Sequence, residues 1–139
     1  MGAGKRVLRV VAWAGVALLQ AIMTQAVTFV ASLFFPGTET IPADRRTAFT
    51  LGIGLTFTVG IYLAGWMALH VRWLAGAPRY LARLVGTVIG VLLPFAVGAL
   101  AGVPLEPGSP LFLASIVAGI VGYHLPGWIR KRRAAVHAT

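Results

Sequence analysis

The sequence contains no cysteine and few charged residues, and both absences narrow what the protein can be. Cysteine is missing from all 139 residues, which excludes disulfides, thiolate metal sites, cysteine nucleophiles and prenyl or palmitoyl anchors. Charged residues make up 11% of the chain and hydrophobic residues 58%, whereas a soluble domain is about one quarter charged. So few charges cannot cover the surface of a small globule. We therefore predict that lipid surrounds most of this protein.

Groups that could carry out chemistry are also scarce. The only acidic residues are Glu39, Asp44 and Glu106, and all of them lie between apolar stretches. The sequence has no HExxH motif, no glycine-rich phosphate loop and no recognisable Ser–His pair. Proton-coupled carriers use acids or bases inside their membrane helices, and we expect neither an acid nor a well-buried base in the apolar stretches. The sequence therefore predicts a protein that is not an enzyme.

Four long apolar stretches dominate the chain. At a rise of about 1.5 Å per residue, about 20 helical residues cross a hydrocarbon layer of about 30 Å. Proline and glycine interrupt the short connections, none of which could house a soluble domain. The stretches predicted to cross are residues 7–35, 48–69, 81–103 and 111–129. We predict an all-α integral membrane protein, one membrane domain of four transmembrane helices over residues 1–139, with a basic tail over 130–139.

The positions of the basic residues predict the orientation of these helices. Of the 12 lysines and arginines, all but Arg45 and Arg46 lie at the N-terminus, around the second connection or after the fourth stretch. The positive-inside rule then places both termini in the cytoplasm, and we expect a multi-pass protein of a bacterial inner membrane. The residues expected to contact anionic lipid headgroups are Arg72, Arg79, Arg83, Arg130, Lys131, Arg132 and Arg133. A nucleic-acid partner is not expected, because no basic groove is interleaved with aromatic residues.

Two segments resemble each other and suggest an internal repeat. Val59–Trp66 and Val121–Trp128 share five of eight positions, and each closes an apolar stretch that runs in the same direction. A duplicated helical hairpin, with its halves related by an axis along the membrane normal, would produce this pattern. Matches this short also arise by chance in a sequence of biased composition.

Small residues recur at every fourth position in the last three stretches. Side chains four residues apart share one face of a helix, and helices in lipid associate through close packing at small residues. The pattern therefore predicts packing faces, with right-handed crossings near about −40°. The residues predicted to pack are Gly52, Gly60, Ala64, Gly86, Gly90, Gly98, Gly102, Ala114, Ala118 and Gly122. The partner could be a helix of the same chain or of another subunit.

The first stretch carries a polar stripe instead. Its members are Gln20, Thr24, Gln25, Thr28 and Ser32. An amide without a partner is costly in hydrocarbon, so we predict that this stripe faces away from lipid. Two interpretations follow: hydrogen bonds between helices, each contributing about 0.6 to 2 kcal/mol, or the lining of a pathway for a small solute or ion.

Two histidines lie near the predicted membrane. His70 and His124 occur toward the cytoplasmic ends of the second and fourth stretches. If those helices were neighbours, the imidazoles could ligate a haem iron or a chlorophyll magnesium. The simpler interpretation is that His70, close to Arg72, lies at the interface and that neither histidine binds a cofactor.

These patterns lead to three functional hypotheses. The first is a non-catalytic accessory subunit that binds other integral membrane subunits, as in respiratory and photosynthetic electron-transfer complexes. The second is a small homo-oligomeric channel or transporter lined by the polar stripe, and the third is a haem- or pigment-binding subunit. The first is favoured because several close-packing faces occur together with an absence of reactive groups.

Overall fold

The structure, a computed structural model, is entirely helical in the part of the chain that it describes. That part comprises residues 2–34, 43–71, 79–104 and 109–137. The helices are α1 (Ala3–Phe34), α2 (Arg46–His70), α3 (Tyr80–Leu100) and α4 (Pro110–His137), and a 3-10 turn over Ala43–Arg45 precedes α2. All four are long and apolar enough to cross a membrane. The predictions of an all-α protein and of four such helices are therefore confirmed.

Three helix ends differ from the prediction by three residues or more: α1 begins at Ala3 rather than at residue 7, and α3 and α4 end at other residues for local reasons. The third helix ends at Leu100 rather than at residue 103, because Gly102 adopts a φ of 69°. The amide of Val103 donates to the Gly98 carbonyl at 2.9 Å and that of Gly102 to the Ala99 carbonyl at 3.2 Å. This pair of bonds is a Schellman motif, which terminates a helix at a left-handed glycine.

The fourth helix continues to His137, well past the predicted end at residue 129. The segment from Arg130 to Ala135 consists of arginine, lysine and alanine, which are among the strongest helix formers. Since no glycine or proline follows Gly127, nothing local ends the helix. The predicted basic tail is therefore helical up to His137, and all of its described residues are exposed.

The helices pack as two hairpins. Contact is most extensive between α3 and α4, and next most extensive between α1 and α2, whereas α1 and α3 do not touch in the described part of the chain. A buried apolar cluster from α2, α3 and α4 fills the space between the hairpins: Phe57, Ile61, Val91, Phe95, Ile116 and Tyr123. The helix α1 is the most peripheral, with 17% of its most apolar stretch buried compared with 33% to 39% in the other helices.

The two similar segments occupy comparable environments in the two hairpins. Ile61 and Tyr123 stand at the same position of the repeat, and both are fully buried. Trp66 and Trp128, which close the segments, are exposed to 38% and 40%. Other matched positions differ, since Ala64 is buried and Pro126 is only partly buried, and the duplicated hairpin stays a prediction.

Glycines make the closest contacts between helices. A Cβ on Gly122 would overlap the Gly86 carbonyl oxygen, and a Cβ on Gly86 would overlap the Gly122 carbonyl oxygen. In the first hairpin, a Cβ on Gly60 would lie 2.6 Å from the Cα of Thr24. Within each hairpin, backbone therefore approaches backbone where no side chain intervenes.

The other predicted packing residues divide into two groups. Gly90 lies against the Ala118 carbonyl, Gly98 lies against Leu111, and Ala64 is fully buried. Ala114 is exposed, and a Cβ on Gly52 or Gly102 would meet nothing within 4 Å. Neither Gly52 nor Gly102 therefore packs against a helix of the described chain, and packing of Gly52 against another subunit stays a prediction. Gly102 ends α3, and Gly52 lies on the outer side of α2.

Candidate functional site

A buried polar cluster joins the two hairpins, and Gln20 of α1 is at its centre. This side chain is 0% exposed. Its Nε2 donates to the Ile61 carbonyl of α2 at 3.1 Å, and its Oε1 lies 2.9 Å from Nε2 of His124 on α4. One glutamine thus links α1 to both neighbouring helices. Its burial follows from the four-residue spacing, which aligns Gln20 with Val16 and Thr24 on the face turned to the bundle.

The hydrogen bonds of Gln20 determine which nitrogen of His124 carries the proton. Since the Ile61 carbonyl can only accept, the amide nitrogen of Gln20 must face it, and the amide oxygen must face His124. The Nε2 of His124 therefore donates to that oxygen. In the neutral ring, Nδ1 is then a bare acceptor, and it is buried without a hydrogen-bond partner among the described residues.

Aromatic rings enclose the imidazole of His124. The Trp13 ring lies 4.2 Å from it between centroids, Tyr123 lies 5.0 Å away edge to face, and Trp128 stacks at 6.3 Å. Lys131 places its Nζ 6.0 Å from the centre of the Trp13 ring. The histidine is therefore packed on its faces and bonded at Nε2, which is an arrangement that holds α1 and α4 together.

A second polar contact, from Arg83, joins α3 to α4. Arg83 is 5% exposed, and its Nη1 donates to the Tyr123 carbonyl at 3.2 Å. Its guanidinium also lies over the Tyr123 ring, 4.9 Å from the centroid, while Nε is buried and bonds to no residue that the structure describes. Two sequence-based predictions are therefore wrong: Arg83 does not lie on the headgroup surface, and the third apolar stretch does contain a buried base.

The remaining residues predicted to contact headgroups are at the surface where the structure describes them. Arg79 is exposed at the start of α3, and the basic residues of the last turns of α4 are also exposed: Arg130, Lys131, Arg132 and Arg133. Arg72 lies outside the described residues. Their exposure is compatible with headgroup contact, which stays a prediction.

The polar stripe of α1 divides between two environments. Thr24 is buried and donates to the Gln20 carbonyl at 2.7 Å, and Thr28 is partly buried and donates to the Thr24 carbonyl at 2.8 Å. Ser32 and Gln25 are exposed. Ser32 bonds back to the Phe29 carbonyl at 2.7 Å, whereas the Gln25 amide has no hydrogen bond to the described residues. The described residues therefore do not cover Gln25 and Ser32, and that these two side chains face away from lipid stays a prediction.

The two histidines predicted as cofactor ligands do not form a pair. His70 is exposed at the end of α2 and stacks on Trp66 at 5.2 Å, whereas His124 is buried against Gln20. No hydrogen bond or ring contact joins them. Among the described residues, no group of three or more histidine, aspartate or glutamate side chains could hold a metal ion.

The outer side of the α3–α4 hairpin carries an apolar groove of about 860 Å³. Its floor contains the small residues where the helices approach each other, including Gly86, Gly90, Ala118 and Gly122. Its rims are aliphatic side chains, among them Ile89, Leu93, Leu113, Val117 and Val121. We name this feature the α3–α4 groove.

Sequence reasoning found some of these features and missed others. The stripes of small residues predicted the floor of the groove, and the polar stripe included Gln20. The sequence analysis did not predict that Arg83 and Ser115 are buried, or that the partly buried Trp13 packs against His124. The one available signal for Arg83 was its position inside the third apolar stretch, where a lysine or arginine is costly unless it is bonded.

Compared with known proteins, the chain matches no family model, no curated protein and no solved structure at a significant level.

Proposed function

We propose that the protein is a non-catalytic accessory subunit of a larger complex in a bacterial inner membrane. The observation that carries the proposal is the α3–α4 groove, a long apolar concavity on the outside of a four-helix bundle. The proposed partner is a membrane helix of another subunit, which would lie in this groove. Its role would be to stabilise that subunit and to hold anionic lipids beside it.

The chemistry of the groove supports a helix as its occupant. Lipid tails are as apolar as leucine, so helices gain little from the hydrophobic effect and associate through close packing at small residues. The glycines and alanines on the floor leave room for a ridge of larger side chains, and the rims supply aliphatic contact on both sides. The described residues that line the groove have no charged or hydrogen-bonding side chain, so they offer a polar ligand no anchor.

The interior of the bundle supports a structural role more than a transport role. Gln20 and Thr24, which the channel hypothesis would place along a pathway, are fully buried and bonded to Ile61, His124 and the backbone of α1. Polar groups engaged in this way stabilise the contact between helices. They would have to exchange these bonds to coordinate a passing solute.

The test is purification of the full chain in mild detergent, followed by native mass spectrometry. We expect other membrane subunits in fixed stoichiometry. Filling the groove with Ala114→Phe should remove them, because Ala114 is exposed and lines the groove. The matched control, Ala48→Phe, adds the same ring to an exposed position of α2 outside the groove and should retain the partners. A wild-type chain that purifies without any other subunit would overturn the proposal.

The proposed orientation predicts a specific labelling pattern. Because the chain has no cysteine, a single introduced thiol reports its own location. In intact spheroplasts, a membrane-impermeant maleimide should label Ser109→Cys, at the start of α4, and should label Ala134→Cys only after the membrane is opened. The reverse pattern would show that both termini lie outside, and equal labelling of the two would show mixed insertion.

A further inference from the structure

The outer face of α1 combines an apolar surface with one polar side chain that bonds to no described residue. We define this face by Val11, Gly15, Leu18, Ile22, Gln25 and Phe29, all of which are exposed. They follow the spacing of a heptad seam, with steps of four and three residues, and they lie opposite the buried Val16, Gln20 and Thr24. This is the side of the least covered helix that points away from the bundle.

Gln25 lies too deep for its amide to reach water easily. Its neighbour Thr24 packs against Gly60 of α2, which is 12 residues from the start and nine from the end of the apolar stretch 48–69, or about 18 Å and about 14 Å along the axis at about 1.5 Å per residue. The hydrocarbon layer is about 30 Å thick. The amide is exposed and bonds to no described residue. In lipid it therefore needs a donor and an acceptor from outside the chain.

We infer that the outer face of α1 is a self-association surface, on which α1 of a second copy packs in parallel. Two copies inserted with the same topology are related by a two-fold axis along the membrane normal. This symmetry places Gln25 of one copy opposite Gln25 of the other, at the same depth in the membrane. Because a carboxamide both donates and accepts hydrogen bonds, the two side chains can bond to each other.

The neighbouring residues fit this arrangement. A Cβ on Gly15 would meet nothing within 4 Å, so the backbone is open to close approach one turn from Leu18. A seven-residue repeat keeps two helices in contact along their length at a crossing angle of about 20°, which is common in membrane bundles. A single polar residue in such a seam fixes the register of the pair. The inference does not depend on the proposed partner in the α3–α4 groove, which lies on other helices.

Disulfide cross-linking in membranes of expressing cells tests the contact. In the cysteine-free chain, Phe29→Cys and Ile22→Cys should each form a disulfide-linked species with the mass of two copies. Val30→Cys should not, although it lies at nearly the same depth and is exposed, because it is turned about 100° from Phe29. Equal cross-linking at positions 29 and 30 would indicate random collision and would overturn the inference, and so would the absence of any cross-link.

The role of the amide has its own test, by energy transfer between labelled full-length chains diluted in liposomes. Gln25→Leu should weaken association about tenfold, since a membrane hydrogen bond of about 1–2 kcal/mol corresponds to roughly that factor. Gln25→Asn should retain part of the association, and Ala26→Leu, at the neighbouring position, should leave the association unchanged. Undiminished association of Gln25→Leu would overturn the inference. A dimer that purifies without foreign subunits would support this inference while overturning the proposed function.

Discussion

Gly122→Leu is expected to separate α3 from α4 and to cause the largest loss of stability of any single substitution considered. A Cβ at this position overlaps the carbonyl oxygen of Gly86, which belongs to the backbone and cannot rotate away. The reverse contact, from Gly86 to the Gly122 carbonyl, is equally close, so neither helix can yield alone. Overpacking of a core costs about 1–3 kcal/mol and occasionally more. We expect a loss at the upper end, about 3 kcal/mol.

The matched control for this substitution is Gly52→Leu. A Cβ on Gly52 meets nothing within 4 Å, and leucine is a better helix former than glycine by up to about 1 kcal/mol. Equilibrium unfolding in mixed micelles, followed by tryptophan fluorescence, should show the Gly122 variant less stable than wild type and the Gly52 variant at least as stable. Equal stability of the two variants would contradict the close approach of α3 and α4 described above.

The second large effect is expected at the bond between Gln20 and His124. Gln20→Leu removes the acceptor for the Nε2 of His124 and leaves a buried imidazole without its partner. The donor to the Ile61 carbonyl is lost as well. We expect a destabilisation of about 1–2 kcal/mol, since a buried polar group left without its partner costs about this much.

A double-mutant cycle separates the stability that the Gln20–His124 hydrogen bond contributes from the stability that burial of the two side chains contributes. His124→Leu alone leaves the Gln20 oxygen unpaired, whereas Gln20→Leu with His124→Leu replaces both polar groups by apolar ones. The double variant should therefore lose less stability than the sum of the single losses. Thr56→Val is the control, because Thr56 is only partly buried and its hydroxyl bonds within its own helix, to the Gly52 carbonyl. Strict additivity of the two single effects would contradict a direct interaction.

The two experiments examine different kinds of contact in the bundle. The glycine contact lies within one hairpin, where backbone meets backbone and side chains contribute little. The glutamine contact lies between hairpins, where α1 is otherwise held by few neighbours. If both predictions hold, each hairpin is assembled by shape, whereas hydrogen bonding determines how the hairpins fit together. Each hairpin has its own close glycine contact, Gly60 with Thr24 in the first and Gly86 with Gly122 in the second, whereas the bond from Gln20 to His124 crosses between the hairpins.

The number of helices, their approximate positions and the glycines of the α3–α4 contact were all readable from the sequence. Hydropathy and spacing are local properties: a stretch such as residues 81–103 is long and apolar whatever surrounds it. The series of small residues that contain Gly86 and Gly122 are likewise visible in the sequence. Residues at every fourth position share one face of a helix, whichever helix packs against that face. One local signal was misread, since the left-handed Gly102 ends α3 instead of extending its packing face.

Only the tertiary structure decided which side of each helix meets another. Gln20 and Gln25 are five residues apart in one polar stripe, yet the first is buried at a junction of helices and the second faces outward. Arg83 and Arg79 are separated by one turn, and only Arg83 reaches Tyr123. A helix can rotate about its own axis without changing its hydropathy or length, and contacts with other helices select one rotation. That selection buries Gln20, His124 and Arg83, and it leaves Gln25 on the outer face of α1.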